Sequence, residues 1–195
     1  KNMKDMQLIV EEYKQLKPSI KPNRYTKHLF SSALRNKSQN RYSDVLPFES
    51  TIVKMNDPNE YINANYVRIP HNEICYISTQ APLPNTFSTF WRMIWEHKVP
   101  VIVMLTRFLE GNKEKASCYW PTSQETHIFG DISVSLISQS SEEFLTLRQF
   151  KIKRRNESRT LSHIQYTEWP DNGVPNTTVV IRKLIGLLEE KRKEN

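Results

Sequence analysis

The chain has 195 residues, 37% of them hydrophobic and 10% aromatic, which is enough for one domain with a real core and too much for a disordered tail. No apolar run approaches the roughly 18 to 20 residues needed to span a bilayer, and Lys1 to Gln15 carries charges throughout, with no apolar signal core. The formal charge of +7 admits an acidic partner, while four glycines in the whole chain cannot spell a dinucleotide or Walker loop.

In chain order, Met3, Met6, Ile9, Val10, Tyr13 and Leu16 recur at three-to-four spacing and predict an amphipathic helix stopping near Pro18. Residues 61–69 and 74–79 are short, β-branched and aromatic, and read as strands. After Pro84, Asn85 is expected to cap a helix whose Phe87, Phe90, Trp91, Ile94 and Trp95 line one face. That stripe is too large to leave in water and reads as core rather than as a cofactor box. Residues 101–106 are apolar on both faces, as in an interior strand. Ile132, Val134 and Leu136 alternate with Asp131, Ser133 and Ser135. Leu145 and Leu147 alternate too, before the phase slips to Phe150 and Ile152, which a bulge near Arg148 would explain. Ser162, Ile164 and Tyr166 continue the β pattern. Val180, Ile181, Leu184, Ile185 and Leu188 then predict a helix ending in Lys191, Arg192 and Lys193. The pattern as a whole is one mixed α/β domain over residues 1–195.

Cys75 and Cys118 form no CxxC and have no His-rich neighbourhood, which argues against a zinc site or disulfide framework and for a reducing, cytoplasmic setting. Lys151, Lys153, Arg154, Arg155 and Arg159 are the densest basic cluster. With no helix-turn-helix, RNP-like or basic-zipper pattern beside it, a solvated edge hairpin is the better reading than nucleic-acid binding.

Specific strings then carry more information than periodicity does. They are Asn40-Arg41-Tyr42-Ser43-Asp44-Val45 with Pro47-Phe48, Glu60-Tyr61-Ile62-Asn63-Ala64-Asn65-Tyr66, and Thr79-Gln80-Ala81-Pro82-Leu83-Pro84-Asn85-Thr86 leading into Phe90-Trp91-x-Met93-x-Trp95-Glu96. Val103-Met104-Leu105, Tyr119-Trp120-Pro121 and Trp169-Pro170-Asp171-Asn172-Gly173-Val174-Pro175 follow. In this order and at this spacing they resemble the protein tyrosine phosphatase family, over nearly the whole chain. The resemblance implies a mixed, highly twisted central sheet flanked by helices, and hydrolysis of phosphotyrosine esters in proteins without a cofactor or metal. It also implies phosphotyrosine-containing proteins as partners, without nucleic acid or membrane insertion, and a cytoplasmic location, either free or as the intracellular part of a receptor.

It also assigns residues. Asp171 becomes the general acid on a mobile lid and later the base for the hydrolytic water, with Trp169 as the lid's hinge. Tyr42 becomes the ring that packs on the substrate phenyl and sets pocket depth, and depth excludes phosphoserine. Asp44 would hold substrate backbone amides, Glu110 would orient the phosphate-binding Arg, and Lys115 would stand near the acid loop. Read without the family, Tyr42 is a core or edge tyrosine after a turn, Asp44 a turn cap, and Glu110 and Lys115 solvated loop charges.

The sequence departs from the family in two places. Asn172 stands where His usually follows the acid. The family nucleophile is the Cys of His-Cys-x5-Arg, and Cys75 and Cys118 are followed six positions later by Ala81 and Gln124. The expectation is therefore the N-terminal two-thirds or so of a phosphatase catalytic domain, with the signature loop missing and the chain inactive alone. A catalytically dead truncated form and a binding relic that keeps the fold for phosphopeptides or acidic surfaces are the alternatives.

Overall fold

The computed structural model describes residues 7–11, 27–71, 74–170, 173–175 and 177–194. Residues 7–11 are helical, and the rest of the amphipathic segment expected from Met3 to Leu16 lies outside the described residues. A 3-10 turn, Lys27–Phe30, leads into helix α1 (Ser31–Arg35), where Phe30, Ala33 and Tyr61 make a small core of their own. The Glu49 carboxylate holds the start of α1, accepting from the Ser32 backbone N–H at 2.8 Å and from its hydroxyl at 2.7 Å. Strands β1 (Ala64–Arg68) and β2 (Cys75–Thr79) pair antiparallel as a separate two-stranded sheet.

A 3-10 turn over Pro84–Thr86 opens helix α2 (Phe87–Glu96). Asn85 does not cap it, because its amide turns away and donates to the Ser38 carbonyl at 3.0 Å. The start is closed instead by Thr86, whose hydroxyl accepts from the Leu83 N–H at 2.9 Å. Phe90, Trp91, Ile94 and Trp95 are buried as the aromatic stripe required, Phe87 is half-buried, and Met93 joins them. The Trp91 indole N–H, fully enclosed, donates to the Tyr119 carbonyl at 2.7 Å.

The remaining strands are β3 (Val101–Met104), β4 (Leu109–Glu110), β5 (Lys113–Glu114), β6 (Thr126–Phe129), β7 (Ile132–Glu142), β8 (Leu145–Arg154) and β9 (Glu157–Tyr166). Five of them form the mixed central sheet in the order β3-β9-β8-β7-β6, with β3 parallel to β9 and every other pair antiparallel. Two expectations are corrected by this order. β3 is not interior but lies at the edge of the described sheet. Its two apolar faces exist because Ile102 and Met104 enter the core beneath α2, while Val101 and Val103 meet helix α3 (Val179–Glu194) on the other side. The basic β8–β9 hairpin, expected at an edge, runs through the middle of the sheet.

The phase slip in β8 has a different cause from a bulge at Arg148. Leu145 and Leu147 face α3, whereas Arg148, Phe150 and Ile152 face α2, so the strand buries opposite faces in its two halves. The one irregularity of this ladder is on the partner strand, between Leu136 and Ser138. In α3, Val180 and Leu184 are buried and Leu187 packs with Ile181 against the sheet, while Ile185, expected in the apolar stripe, is 54% exposed and does not join it. No described helix is long and apolar enough to cross a membrane.

Candidate active site

The loop bearing Tyr42 follows α1 and is tied at both ends. Asn40 donates to the Ala33 carbonyl at 2.9 Å and accepts from Tyr61 at 2.5 Å and from Asn63 at 3.0 Å. Asn63 also donates to the Val45 carbonyl at 3.0 Å. Arg41 reaches the opposite way, its guanidinium donating to the Ala81 and Pro82 carbonyls at 3.0 Å each, while its backbone N–H donates to the Gln80 side chain at 2.8 Å. A long cation is here used as a rivet between two loops, which leaves the neighbouring Tyr42 ring 40% exposed over the space between them.

Glu110 stands at the end of β4, in a tight hairpin with β5. The turn Gly111-Asn112 is closed by Gly111 at φ +57°, which a glycine adopts without strain. Lys115 follows β5, its N–H donating to the Phe108 carbonyl at 2.8 Å. Trp169 and Pro170 arrive from the end of β9. That segment is held on two sides: the Thr167 N–H donates to the Phe144 carbonyl at 3.0 Å, and Arg107 donates to the Thr167 carbonyl and pairs with Glu168.

Tyr42, Glu110, Lys115 and Trp169 line one cavity of about 490 Å³, together with Pro170, Asn63, Gln80 and Thr106 among others. That volume suits a small organic group, within the roughly 300–1,000 Å³ of ligand clefts. Asp44 is exposed and outside the lining, and Asp171 lies outside the described residues. Neither Cys75 nor Cys118 lines the cavity. Among the described residues no group of three or more His, Cys, Asp or Glu could hold a metal.

Beneath the cavity floor is a polar network that periodicity does not reveal. Buried Arg148 donates to Gln139 at 2.8 Å and to Gln165 at 3.1 Å, and its guanidinium lies 4.8 Å from the Trp120 ring centre. Gln165 in turn donates to the carbonyl of Thr106, a lining residue, at 3.1 Å. His163, wholly buried, contacts the Tyr119 hydroxyl through Nε2 at 2.9 Å and Arg148 through Nδ1 at 3.5 Å. Since Arg only donates, Nδ1 is the acceptor and the ring proton sits on Nε2, directed at Tyr119. Burial, then the Arg148 charge, drives the His163 pKa down to about 3. Burial likewise raises that of Tyr119.

A family model described as protein-tyrosine phosphatase matches residues 36–195. The chain belongs to the protein tyrosine phosphatase family. It is 38% identical over 191 residues to mouse receptor-type tyrosine-protein phosphatase eta, covering 94% of this chain and 15% of that protein. Human tyrosine-protein phosphatase non-receptor type 2 is 40% identical over 155 residues, covering 77% of this chain and 37% of that one. A solved structure from work on the structural basis of the PTPN18 fingerprint on distinct HER2 tyrosine phosphorylation sites superposes with a TM-score of 0.77 at 31% identity, covering 97% of this chain and 66% of that chain. The chain thus spans less than two thirds of each of these phosphatase relatives. Of the residues singled out from the sequence, the fold brings Tyr42, Glu110, Lys115 and Trp169 together. Arg41, Asn63 and Gln80 were inside the quoted strings but unassigned, and Arg107, which bonds rather than lines, had no signal at all.

Proposed function

We propose that the protein containing this chain hydrolyses phosphotyrosine esters in proteins, and that these residues supply its substrate cleft and its acid lid. The observation that supports this reading is the convergence of Tyr42, of Glu110 and Lys115 on the β4–β5 hairpin, and of Trp169 on one cavity, from three segments far apart in sequence. In the proposed reaction a thiolate attacks phosphorus, the P–O bond to the tyrosine ring breaks, and Asp171 protonates the departing phenolate oxygen. The resulting phosphocysteine is then hydrolysed by water deprotonated by the same carboxylate. Glu110 orients the arginine that cradles the phosphate oxygens, and Lys115 neighbours the acid. Asp44, on the rim, takes substrate backbone amides.

Cys75 and Cys118 lie outside the cavity and lack the following arginine, so the thiolate and the phosphate cradle come from outside residues 1–195. Under this reading the 195 residues form the N-terminal part of one catalytic domain and do not turn over substrate alone. The protein works on the cytoplasmic side. The test uses the full-length protein on matched phosphotyrosine and phosphoserine peptides. Wild type should prefer phosphotyrosine strongly, and Tyr42→Ala should lower kcat/KM for phosphotyrosine about 10-fold or more while leaving phosphoserine near its low starting value. An unchanged ratio would remove Tyr42 from the pocket wall.

A further inference from the structure

The basic cluster of the β8–β9 hairpin divides by role in the folded chain. Arg154 is a structural partner of Asp131 at 2.7 Å, and Arg159 lies 3.8 Å from the centre of the Trp95 ring, both on the α2 face of the sheet. Lys151 and Lys153 point to the opposite face, where neither ammonium has a partner among the described residues. On that face α3 covers only the half carrying Leu145, Leu147, Ile164 and Tyr166. The uncovered half presents Lys151 and Lys153 between Ser133 and Ser135 of β7 and Ser158 and Thr160 of β9. The flanking side chains are short, so both lysines stand clear on a flat surface. One hydroxyl pair, Thr126 with Ser135 at 2.8 Å, keeps a proton to donate outward. At the Thr160 end the face adjoins a recess of about 360 Å³, lined by Lys98 and Arg159 as well as Glu194.

We infer that this half-face is a docking surface for an extended acidic segment of a protein partner, separate from the phosphotyrosine cleft. Alternate residues of one strand stand about 6.6 Å apart on a face, which is also the spacing of alternate side chains in an extended peptide. Carboxylates at every second position of such a segment therefore meet Lys151 and Lys153 in register. An anionic membrane fits less well. Stable surface binding of that kind uses clusters of roughly four to eight basic residues or an apolar wedge, and this face offers two lysines and one exposed large apolar side chain, Ile128.

The test measures fluorescence anisotropy of the full-length protein with a peptide of alternating Glu and Ser, a block peptide of the same composition, and phosphatidylserine vesicles, at low salt. The alternating peptide should bind more tightly than the block peptide. Lys151→Glu/Lys153→Glu should weaken it about tenfold, as for two exposed pairs lost, and Lys151→Gln/Lys153→Gln by a smaller factor. The Gln pair adds no new charge, so it carries the test if the Glu pair perturbs folding. Equal binding of the two peptides, binding unaffected by either double substitution, or tighter lysine-dependent binding to vesicles would each overturn the inference. Phosphatase activity toward a small aryl phosphate is read in parallel and should not change.

Discussion

His163 shows what a single residue of the β9 pattern carries beyond its place in the alternation. Taking the proton would place a second cation against Arg148 in a site closed to water, so the ring stays neutral in the fold and charges freely in the unfolded chain. The folded pKa of about 3 lies below the ordinary value of 6.5, so the unfolded state binds the extra proton between those limits. This contribution to stability is complete above pH 6.5 and is lost as pH falls toward 3, at up to about 1.4 kcal/mol per pH unit. Urea unfolding of the full-length protein between pH 7 and pH 4 should show a steeper loss for wild type than for His163→Gln; parallel curves would mean that His163 does not titrate as its surroundings require. Nothing in the sequence marked His163, because a histidine in a strand looks the same beside a buried arginine as beside water.

At the scale of elements, α2 was legible because its signal is local: five large apolar side chains at helical spacing can only face a core. Trp91→Ala removes a fully buried ring and the hydrogen bond to Tyr119, and should cost about 3–5 kcal/mol. Ile185→Ala on α3, 54% exposed although it sits in the expected apolar stripe, should stay within about 0.5 kcal/mol. Denaturant midpoints of the two variants decide between the stripe read from spacing and the one found in the fold. What was not legible at this scale is which face of a strand is covered. Leu145 and Leu147 bury one side of β8 and Phe150 and Ile152 the other, so a straight strand imitated a bulged one. The edge position of β3 was hidden for a related reason: VIVM specifies two apolar faces but not its neighbours, which are set by pairing with residues about 60 positions away.

The whole molecule assembles its site from connecting segments of this scaffold, and there the family resemblance, rather than periodicity, located four lining residues, with Tyr42 and Trp169 inside the quoted strings and Glu110 and Lys115 outside them. That Asp44 falls outside the lining was not legible, because its place in the string says nothing of where its carboxylate points. The open edge of β3 bears on the 195 residues taken alone. With its outer hydrogen-bonding edge unpaired among the described residues, and Leu105 40% exposed just beyond it, that segment offers a site for pairing between chains. Residues 1–195 expressed alone should therefore associate or melt early by light scattering and thermal unfolding, and should leave p-nitrophenyl phosphate unhydrolysed above background. A monodisperse monomer melting cooperatively above roughly 55 °C would contradict the first expectation, and turnover surviving Cys75→Ser/Cys118→Ser the second.

The central proposal is that Asp171, which follows the cavity-lining Trp169 and Pro170, is the general acid for a substrate held against Tyr42. Its most direct test is steady-state turnover of aryl phosphates with poor leaving groups by full-length wild type and Asp171→Ala. Loss of proton donation without loss of the cradle should lower kcat about 10²–10⁴-fold while KM stays near wild type, with the deficit shrinking as the leaving group becomes more acidic. An unchanged kcat for the poorest leaving group, or an equal deficit for all of them, would contradict the account.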